Sequence, residues 1–357
     1  YYAVIKGEAL ALRAYFHFDL LRMFGPSYAS NADAPAIPYV STFSNRITPL
    51  STVSEALDKI IADLAEAKAL LKTSDPIVRQ AYVVGFPGDE DQTETESSVL
   101  FLQNRRHRMN YYAVCAELAR AYLYKSDKPQ ALSNALEVIE SNKFPWANDA
   151  LVLAPEEREK DRIFYTELVF AWYIPNMQPY LRTHFNNGEA GLFIEKNAGE
   201  TIYETGAAGG DDYRFKEWLL PVSVNSFNRL ELQKYRRDDT GEPYLYPQVA
   251  PAIRLSELWY IAAEATYDTD PAKGLAYIDS VRHYRGIGAP VSAGSKEAFL
   301  EELLKESRKE FYGEGQIFYG YKRLNLPIRG QGGATIPASD KIFVLPIPDS
   351  EIEFGGR

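Results

Sequence analysis

NYYAVCAELARAYLYKSDKPQALSNALEVIES, at residues 110–141, predicts two helices joined by a tight turn. Asp127 or Lys128 lies near the start of the second helix, and Pro129 lies in its first turn, where no backbone N–H is needed. A later stretch, AIRLSELWYIAAEATYDTDPAKGLAYIDSVRHYR at residues 252–285, aligns with the first at a constant offset of 143 without a gap. The chain therefore contains an internal repeat.

The spacing of small residues identifies the kind of repeat. Ala119 lies in the first helix, Tyr122 follows three residues later, and Ala131 lies early in the second helix. This is the spacing of a tetratricopeptide unit, in which small residues let two antiparallel helices approach closely. The second copy has Ala265 and Gly274 at the corresponding positions of Tyr122 and Ala131, so the two units have diverged.

Further helices are predicted on either side of the repeat. The opening helix ends at Gly25-Pro26, and its apolar stripe is predicted to consist of Ile5, Ala9, Leu12, Phe16, Leu20 and Met23. A second helix is predicted over 53–71, with a capping box formed by Thr52 and Glu55. A last helix runs from Ser295 to about Tyr312. We expect the opening helix to pack on the second and on helices that precede residue 1.

Long irregular segments interrupt these helices. Residues 143–250 are rich in Gly, Asn and Pro, and only Thr166 to Tyr173 alternates as a short strand would. The segment after Gly25 is also too rich in Pro, Asn and Ser for a long helix. The predicted fold is mainly α, in a single domain over 1–357. A tetratricopeptide-like scaffold of helical pairs occupies 1–142 and 251–325, and a large irregular, loop-rich insertion layer occupies 143–250.

Composition excludes several classes of function. The chain has 357 residues, of which 46% are hydrophobic and 25% charged, as in ordinary globular proteins. A formal charge of −10 argues against a nucleic-acid partner. The single cysteine, Cys115, is predicted to be a small buried side chain, and the four histidines share no short metal-type spacing. We therefore expect no metal site and no cofactor.

Motifs that carry catalysis are also missing from the sequence. There is no G-x-S-x-G, H-E-x-x-H, P-loop or G-x-G-x-x-G pattern. The acidic stretch from Pro87 to Ser98 is predicted to be an exposed loop, since Glu94 stands where a calcium-binding loop starting at Asp89 requires Gly. We expect no catalytic residues and a protein that is not an enzyme.

Aromatic residues are the unusual feature, with 25 Tyr, 18 Phe and 4 Trp. Those inside predicted helices are assigned to the core. Those in irregular segments, together with one polar neighbour, are the predicted ligand-binding residues: Tyr28, Asn31, Phe43, Trp146, Tyr180 and Trp218. Trp146 and Trp218 are the first choices, because flat rings with polar neighbours suit the C–H faces and hydroxyls of sugars.

Six blocks, in order, resemble the SusD/RagB family. They are GEALALRAYFHFDLLRMFGP, APAIPYV, TVSEALDKIIADLAEAKALL, YYAVCAELARAYLYKSDKPQAL, APAIRLSELWYIAAEA and EFYGEGQIFYGYKRLN, and they span nearly the whole chain. Four residues depart from the usual family pattern. Ser307 precedes Arg308 where the family has Glu, Ile317 replaces an Arg, and Gly320-Tyr321 replaces Asp-Leu.

The resemblance implies a lipoprotein of Bacteroidota, anchored in the outer membrane and exposed at the cell surface. It implies polysaccharide utilisation without catalysis, with an oligosaccharide captured and passed to a SusC-like TonB-dependent transporter. Membrane contact would be made only through a lipidated Cys upstream of this chain. Further helices would also precede residue 1. Two alternatives stay open, a tetratricopeptide-type adaptor between proteins and peptide capture by a RagB-like relative.

Overall fold

The computed structural model describes residues 1–185, 191–224, 227–237, 243–330 and 333–355. Its helices are α1 (Tyr2–Phe24), α2 (Tyr28–Asn31), α3 (Val53–Ser74), α4 (Tyr111–Tyr124), α5 (Lys128–Ile139), α6 (Asp149–Val152), α7 (Gln178–Phe185), α8 (Lys196–Tyr203), α9 (Tyr213–Trp218), α10 (Leu255–Tyr267), α11 (Pro271–His283), α12 (Lys296–Glu310), α13 (Gln316–Leu324), α14 (Asp340–Phe343) and α15 (Asp349–Phe354). Its strands are β1 (Pro35–Pro38), β2 (Leu50–Thr52), β3 (Leu168–Tyr173), β4 (Phe193–Glu195), β5 (Leu219–Val224), β6 (Phe227–Leu232), β7 (Val249–Arg254), β8 (Ile328–Arg329) and β9 (Thr335–Ile336).

The repeat predicted from the sequence is confirmed. α4 and α5 form one helical pair, α10 and α11 form the other, and α10 also packs against α5. Asp127 and Asp270 cap the second helix of each pair, accepting hydrogen bonds from the backbone N–H groups of Gln130 and Lys273. The two units are therefore adjacent in space, although the insertion separates them in the sequence.

The opening helix α1 packs on α3 as predicted, but with a different face. Ile5, Phe16 and Leu20 of the predicted buried stripe are exposed in the described chain. The face that is buried includes polar as well as apolar residues: Val4, Gly7, Glu8, Ala11, Ala14, Tyr15, Phe18, Leu21 and Arg22. The predicted stripe is wrong because apolar residues lie nearly all round α1, so their period does not single out one face.

Two features of the sequence mark the true buried face of α1. Gly7 lets the side chain of Leu71 approach, since a Cβ at this position would lie 2.8 Å from Leu71 Cγ. Glu8 is buried because its carboxylate accepts a hydrogen bond from Arg105, whose guanidinium also binds Asp75 at 2.9 and 3.0 Å. Gly7 and Glu8 therefore mark the buried face of α1 better than the spacing of its apolar residues does.

Residues 143–250 carry short strands and short helices with a small apolar core of their own. β3 pairs antiparallel with β7, and β4, β6 and β5 form a three-stranded antiparallel sheet in that order. The predicted strand over Thr166–Tyr173 is confirmed as β3. Side chains from this segment, among them Phe164, Tyr203 and Trp218, form the separate core.

A buried ionic network joins this segment to α12. Glu306 and Glu310 lie four positions apart on α12, so their carboxylates face the same side. Glu310 accepts hydrogen bonds from Arg285 and Arg214, each at 3.0 Å, and Arg285 also binds Glu167 through two bonds of 2.9 and 2.6 Å. Since Arg214 and Glu167 belong to the insertion and Arg285 follows α11, the network connects the insertion with the helical scaffold.

The helices that the structure describes include none long and apolar enough to span a membrane. Cys115 is buried as predicted, and burial raises the pKa of its thiol to about 12. The loop predicted to be exposed over 87–98 is anchored at one point, where Glu94 is buried and binds Arg106 at 2.9 Å. Burial of Glu94 corrects the prediction for that residue.

Candidate functional site

Trp218 cannot take part in ligand binding at the surface, so its prediction is wrong. Its side chain is 0% exposed and its indole N–H donates to the backbone oxygen of Arg162 at 2.6 Å. The ammonium of Lys234 lies 3.9 Å from the centre of its ring, and Phe164 packs at 5.2 Å. A tryptophan in a segment rich in Gly, Asn and Pro can fill a local core as well as bind a ligand, and its sequence neighbours do not distinguish these two roles.

Trp146 is half-buried in an aromatic cluster. Its ring stacks on Tyr284 with centroids 4.5 Å apart and an interplanar angle of 11°, and it packs against Trp259 at 5.7 Å. The predicted polar neighbours are engaged locally. Asn148 caps α6, and Asp149 accepts a hydrogen bond from the Tyr213 hydroxyl at 3.2 Å. The exposed edge of Trp146 is therefore all that a ligand could reach.

Tyr28, Asn31 and Phe43 lie near α1 and far along the sequence from the other predicted residues. Tyr28 is half-buried at the start of α2, and Asn31 is exposed at the end of that helix. Phe43 is fully exposed in the segment between β1 and β2. No ring contact joins any two of the six predicted residues, all of which lie in described parts of the chain.

A second exposed tyrosine, Tyr173, precedes Tyr180 by seven residues and was not predicted from the sequence. Tyr173 ends β3, is 56% exposed, and stacks on the imidazole of His107 at 5.6 Å and 11°. Tyr180 is 72% exposed in the first turn of α7, and Gln178 ties this helix to the backbone oxygen of Tyr235 at 3.0 Å. The end of an alternating strand followed by Pro-Asn was the signal that could have identified Tyr173.

Short contacts connect the elements around these two tyrosines. The backbone N–H of Ile174 donates to the Gln248 backbone oxygen at 3.1 Å. Met177, Tyr235, Arg237 and Gln248 line one small cavity of about 10 Å³, so the start of α7 meets β7 and the chain after β6 there. The guanidinium of Arg237 lies over the ring of Tyr244, 4.7 Å from its centre. We use the name tyrosine surface for the region around these contacts, whose three segments carry Tyr173, Tyr180 and Tyr244.

Polar groups accompany the rings of the tyrosine surface. The side-chain amide nitrogen of Gln248 is buried and has no hydrogen-bond partner among the described residues. Arg236 is exposed and donates to Gln233 Oε1 at 2.9 Å. Burial, with a smaller contribution from Arg106, lowers the pKa of His107 to about 4. The imidazole under Tyr173 is thus neutral at neutral pH.

This arrangement suits binding better than catalysis. Exposed aromatic faces can stack on the C–H faces of sugar rings, while guanidinium donors can bind hydroxyls. Within the described ranges, no cluster of His, Cys, Asp and Glu could hold a metal ion.

Comparison with known proteins gives two family models that match the chain. One, described as starch-binding and associating with the outer membrane, matches residues 2–80, and the other, described as the SusD family, matches residues 223–353. Together the two models cover more than half of the chain. No curated protein matches it.

Solved structures with the same fold come from Bacteroides. A SusD superfamily protein from Bacteroides vulgatus has 26% identity and a TM-score of 0.72, and the match covers 99% of this chain and 76% of that one. A SusD-like carbohydrate-binding protein from the same species has 19% identity and a TM-score of 0.72, over 98% and 76% of the two chains. The surface glycan-binding protein A of Bacteroides uniformis has 18% identity and a TM-score of 0.66, over 97% and 75%.

These matches agree with the tetratricopeptide-like helical pairs described above. The chain belongs to the SusD family.

Proposed function

We propose that this protein captures an oligosaccharide reversibly, without cleaving it, at the tyrosine surface. The observation that carries the proposal is the exposed ring of Tyr173, which is held flat against His107. A ring fixed in one orientation before binding loses little freedom when a sugar stacks on it. The match to a family model described as starch-binding supports a carbohydrate as the ligand.

Tyr180 and Tyr244 extend the surface along a glycan chain, and the exposed guanidinium of Arg236 supplies donors for hydroxyl groups. Trp146, Phe43 and Tyr28 with Asn31 are proposed as further contacts for longer glycans, because each keeps some exposed surface. Trp218 is not included, since its ring is inaccessible.

The test is a glycan array followed by calorimetry on the glycan that binds. Tyr173→Ala and Tyr180→Ala should each weaken binding by about 1 kcal/mol, or roughly five-fold, as single aromatic contacts do. Tyr2→Ala is the matched control, because Tyr2 is as exposed as Tyr180 but lies on α1. Wild-type affinity in both tyrosine variants would place the binding site elsewhere, and release of shorter products from the glycan would show an enzyme.

Delivery of the glycan to a SusC-like TonB-dependent transporter is the second part of the proposal. The protein would be held at the outer surface of the cell by a lipidated Cys upstream of Tyr1, as the description of an outer-membrane association suggests. Affinity purification from detergent-solubilised membranes should recover a TonB-dependent barrel together with this protein. Repeated purification without any such barrel would favour the adaptor alternative.

Sequencing of the region upstream of Tyr1 tests the anchor independently. We expect a signal peptide that ends in a lipidation Cys. A start codon immediately before Tyr1, with no signal peptide, would contradict surface localisation.

A further inference from the structure

A groove on the outer face of α12 has a volume of about 520 Å³. Leu300 and Leu304 form its floor on α12. Ile202 of α8 stands on one side, and Tyr321 of α13, Leu326 and Pro327 stand on the other. Such a volume and apolar lining are typical of sites that bind a small ligand or a short segment of chain.

The charged residues of α12 that line this groove change from acidic to basic along the helix. Glu297, Glu301, Lys305 and Arg308 lie on the same face of α12 and all line the groove. Glu301 is bound to Arg329 at 2.6 Å, and Lys305 to Glu302 at 2.6 Å, so the two central charges are compensated. The groove therefore has an acidic end at Glu297 and a basic end at Arg308.

The two end charges have no ion-pair partner in the described chain. Arg308 is half-buried, and its guanidinium makes neither a hydrogen bond nor an ion pair with any residue that the structure describes. Glu297 forms no ion pair with those residues, although its carboxylate interacts with Ser295 near the start of α12. Arg308 is partly desolvated and Glu297 is exposed, and two unpaired end charges of opposite sign favour an occupant that brings an opposite charge to each.

The length of the groove limits the occupant. Glu297 and Arg308 are eleven positions apart on a helix, or about 16 Å at 1.5 Å per residue. An extended peptide of about five residues spans the same distance, and its alternate side chains point to the same face. The first, third and fifth side chains would then meet Glu297, the leucine floor and Arg308.

We propose that this groove binds an extended segment of a partner protein with a basic residue, an apolar residue and an acidic residue at alternate positions. A glycan fits the groove poorly, since Tyr321 supplies the only aromatic ring among its lining residues. An anionic lipid would leave the acidic end at Glu297 without a counter-charge. The groove and the tyrosine surface share no residue, so one protein could hold a partner and a glycan together.

The test uses the full-length protein and a synthetic peptide with blocked ends, acetyl-Lys-Ser-Leu-Ser-Glu-amide. We expect saturable binding by NMR titration, with shifts confined to α8, α12 and α13. Arg308→Gln should weaken binding by about five-fold or more, because a charge-assisted bond to the peptide Glu is lost. Arg46→Gln is the matched control, since Arg46 is exposed in the loop before β2 and lies outside the groove.

A charge-reversed variant separates loss of the contact from loss of the fold, because a misfolded protein would not gain binding to a second peptide. Arg308→Glu should reject the first peptide and bind acetyl-Lys-Ser-Leu-Ser-Lys-amide better than the unchanged protein does. Three results would overturn the proposal: no saturable binding to the full-length protein, equal binding by Arg308→Gln, or no reversal of preference in Arg308→Glu. A groove already filled by another part of the full-length chain would give the first of these. Glycan binding at the tyrosine surface is measured separately, so failure of peptide binding at the groove would not contradict the proposed glycan binding, or the reverse.

Discussion

Glu117 on α4 is a buried carboxyl group with only part of its hydrogen bonding satisfied. One oxygen accepts from Arg120 at 3.1 Å, and the other has no hydrogen-bond partner among the described residues. Burial outweighs the nearby Arg120 charge and raises the pKa of Glu117 to about 7 from 4.5. Protonated Glu117 therefore suits the folded state better than the carboxylate does.

The pH dependence follows from the direction of this change. Since the folded-state pKa is higher than the unfolded one, Glu117 stabilises the fold fully below pH 4.5, and this contribution is lost as the pH rises to about 7. We expect Glu117→Gln to gain stability relative to the unchanged protein across this window, by up to about 3 kcal/mol. Urea unfolding at a series of pH values measures the difference.

Glu140→Gln, an exposed change at the end of the neighbouring α5, is the control and should leave the pH profile unaltered. Parallel profiles for the unchanged protein and Glu117→Gln would contradict the expectation.

The candidate site shows why single residues are hard to assign from sequence. Trp218 and Tyr180 both lie in irregular segments rich in Gly, Asn or Pro, yet one ring is fully buried and the other is exposed. The difference in burial comes from residues distant in the sequence. Lys234 and Phe164 cover Trp218, and the residues next to Trp218 in the sequence do not predict either contact. Tyr180 was predicted from its segment, whereas Tyr173 was missed, because its local pattern indicated a strand and not a ligand site.

Helix pairs could be predicted well because their signals are local. The caps at Asp127 and Asp270 and the first-turn prolines fixed where α5 and α11 begin. The buried face of α1 could not be predicted, since it depends on Leu71 and Arg105 from elsewhere in the chain. Periodicity identifies a helix, but a helix with apolar residues on every side needs its neighbours to define its orientation.

Close packing of α10 and α11 depends on Gly274. A Cβ at this position would lie 2.9 Å from the Cα of Tyr267 and 3.1 Å from the backbone oxygen of Ala263. Because backbone atoms cannot move aside easily, we expect Gly274→Ala to destabilise the protein by about 1–3 kcal/mol. Thermal or urea unfolding provides the measurement.

Gly320→Ala in α13 is the matched substitution with the opposite expectation. Its Cβ would meet only the tip of Leu304 at 3.4 Å, and an alanine inside a helix is favoured over glycine by up to about 1 kcal/mol. If the two variants changed stability by the same amount and sign, the close approach at Gly274 would not be the cause.

For the molecule as a whole, Arg285 is a buried charge that joins the insertion to the helical scaffold. It binds Glu167 and Glu310, and its guanidinium lies 4.0 Å from the centre of the Phe164 ring. Burial opposes ionisation of Glu306, but Arg214, Lys309 and Arg282 outweigh it and lower the pKa of Glu306 to about 2. The network therefore stays charged at neutral pH. Below about pH 4.5 its contribution to stability declines as Glu306 takes up a proton.

Removal of Arg285 should be far more damaging than removal of a surface charge. Arg285→Met leaves two buried carboxylates without this partner, and we expect a loss of about 3–5 kcal/mol in the free energy of unfolding. Arg329→Met breaks the exposed pair with Glu301 and should cost less than about 1 kcal/mol. Adding Glu167→Gln to Arg285→Met should restore part of the loss. Equal effects of the two arginine variants would rule out a special role for the network.

The position of α10 against α5 has a consequence for how the chain folds. More than a hundred residues separate the end of α5 from the start of α10, yet the two helices pack directly together. Contacts between such distant segments slow folding, because a long loop must close before they form. During synthesis the apolar side of α5 stays uncovered until the whole insertion and α10 have emerged. A ribosome-bound chain that ends before Leu255 is therefore the form most exposed to aggregation and most in need of a chaperone.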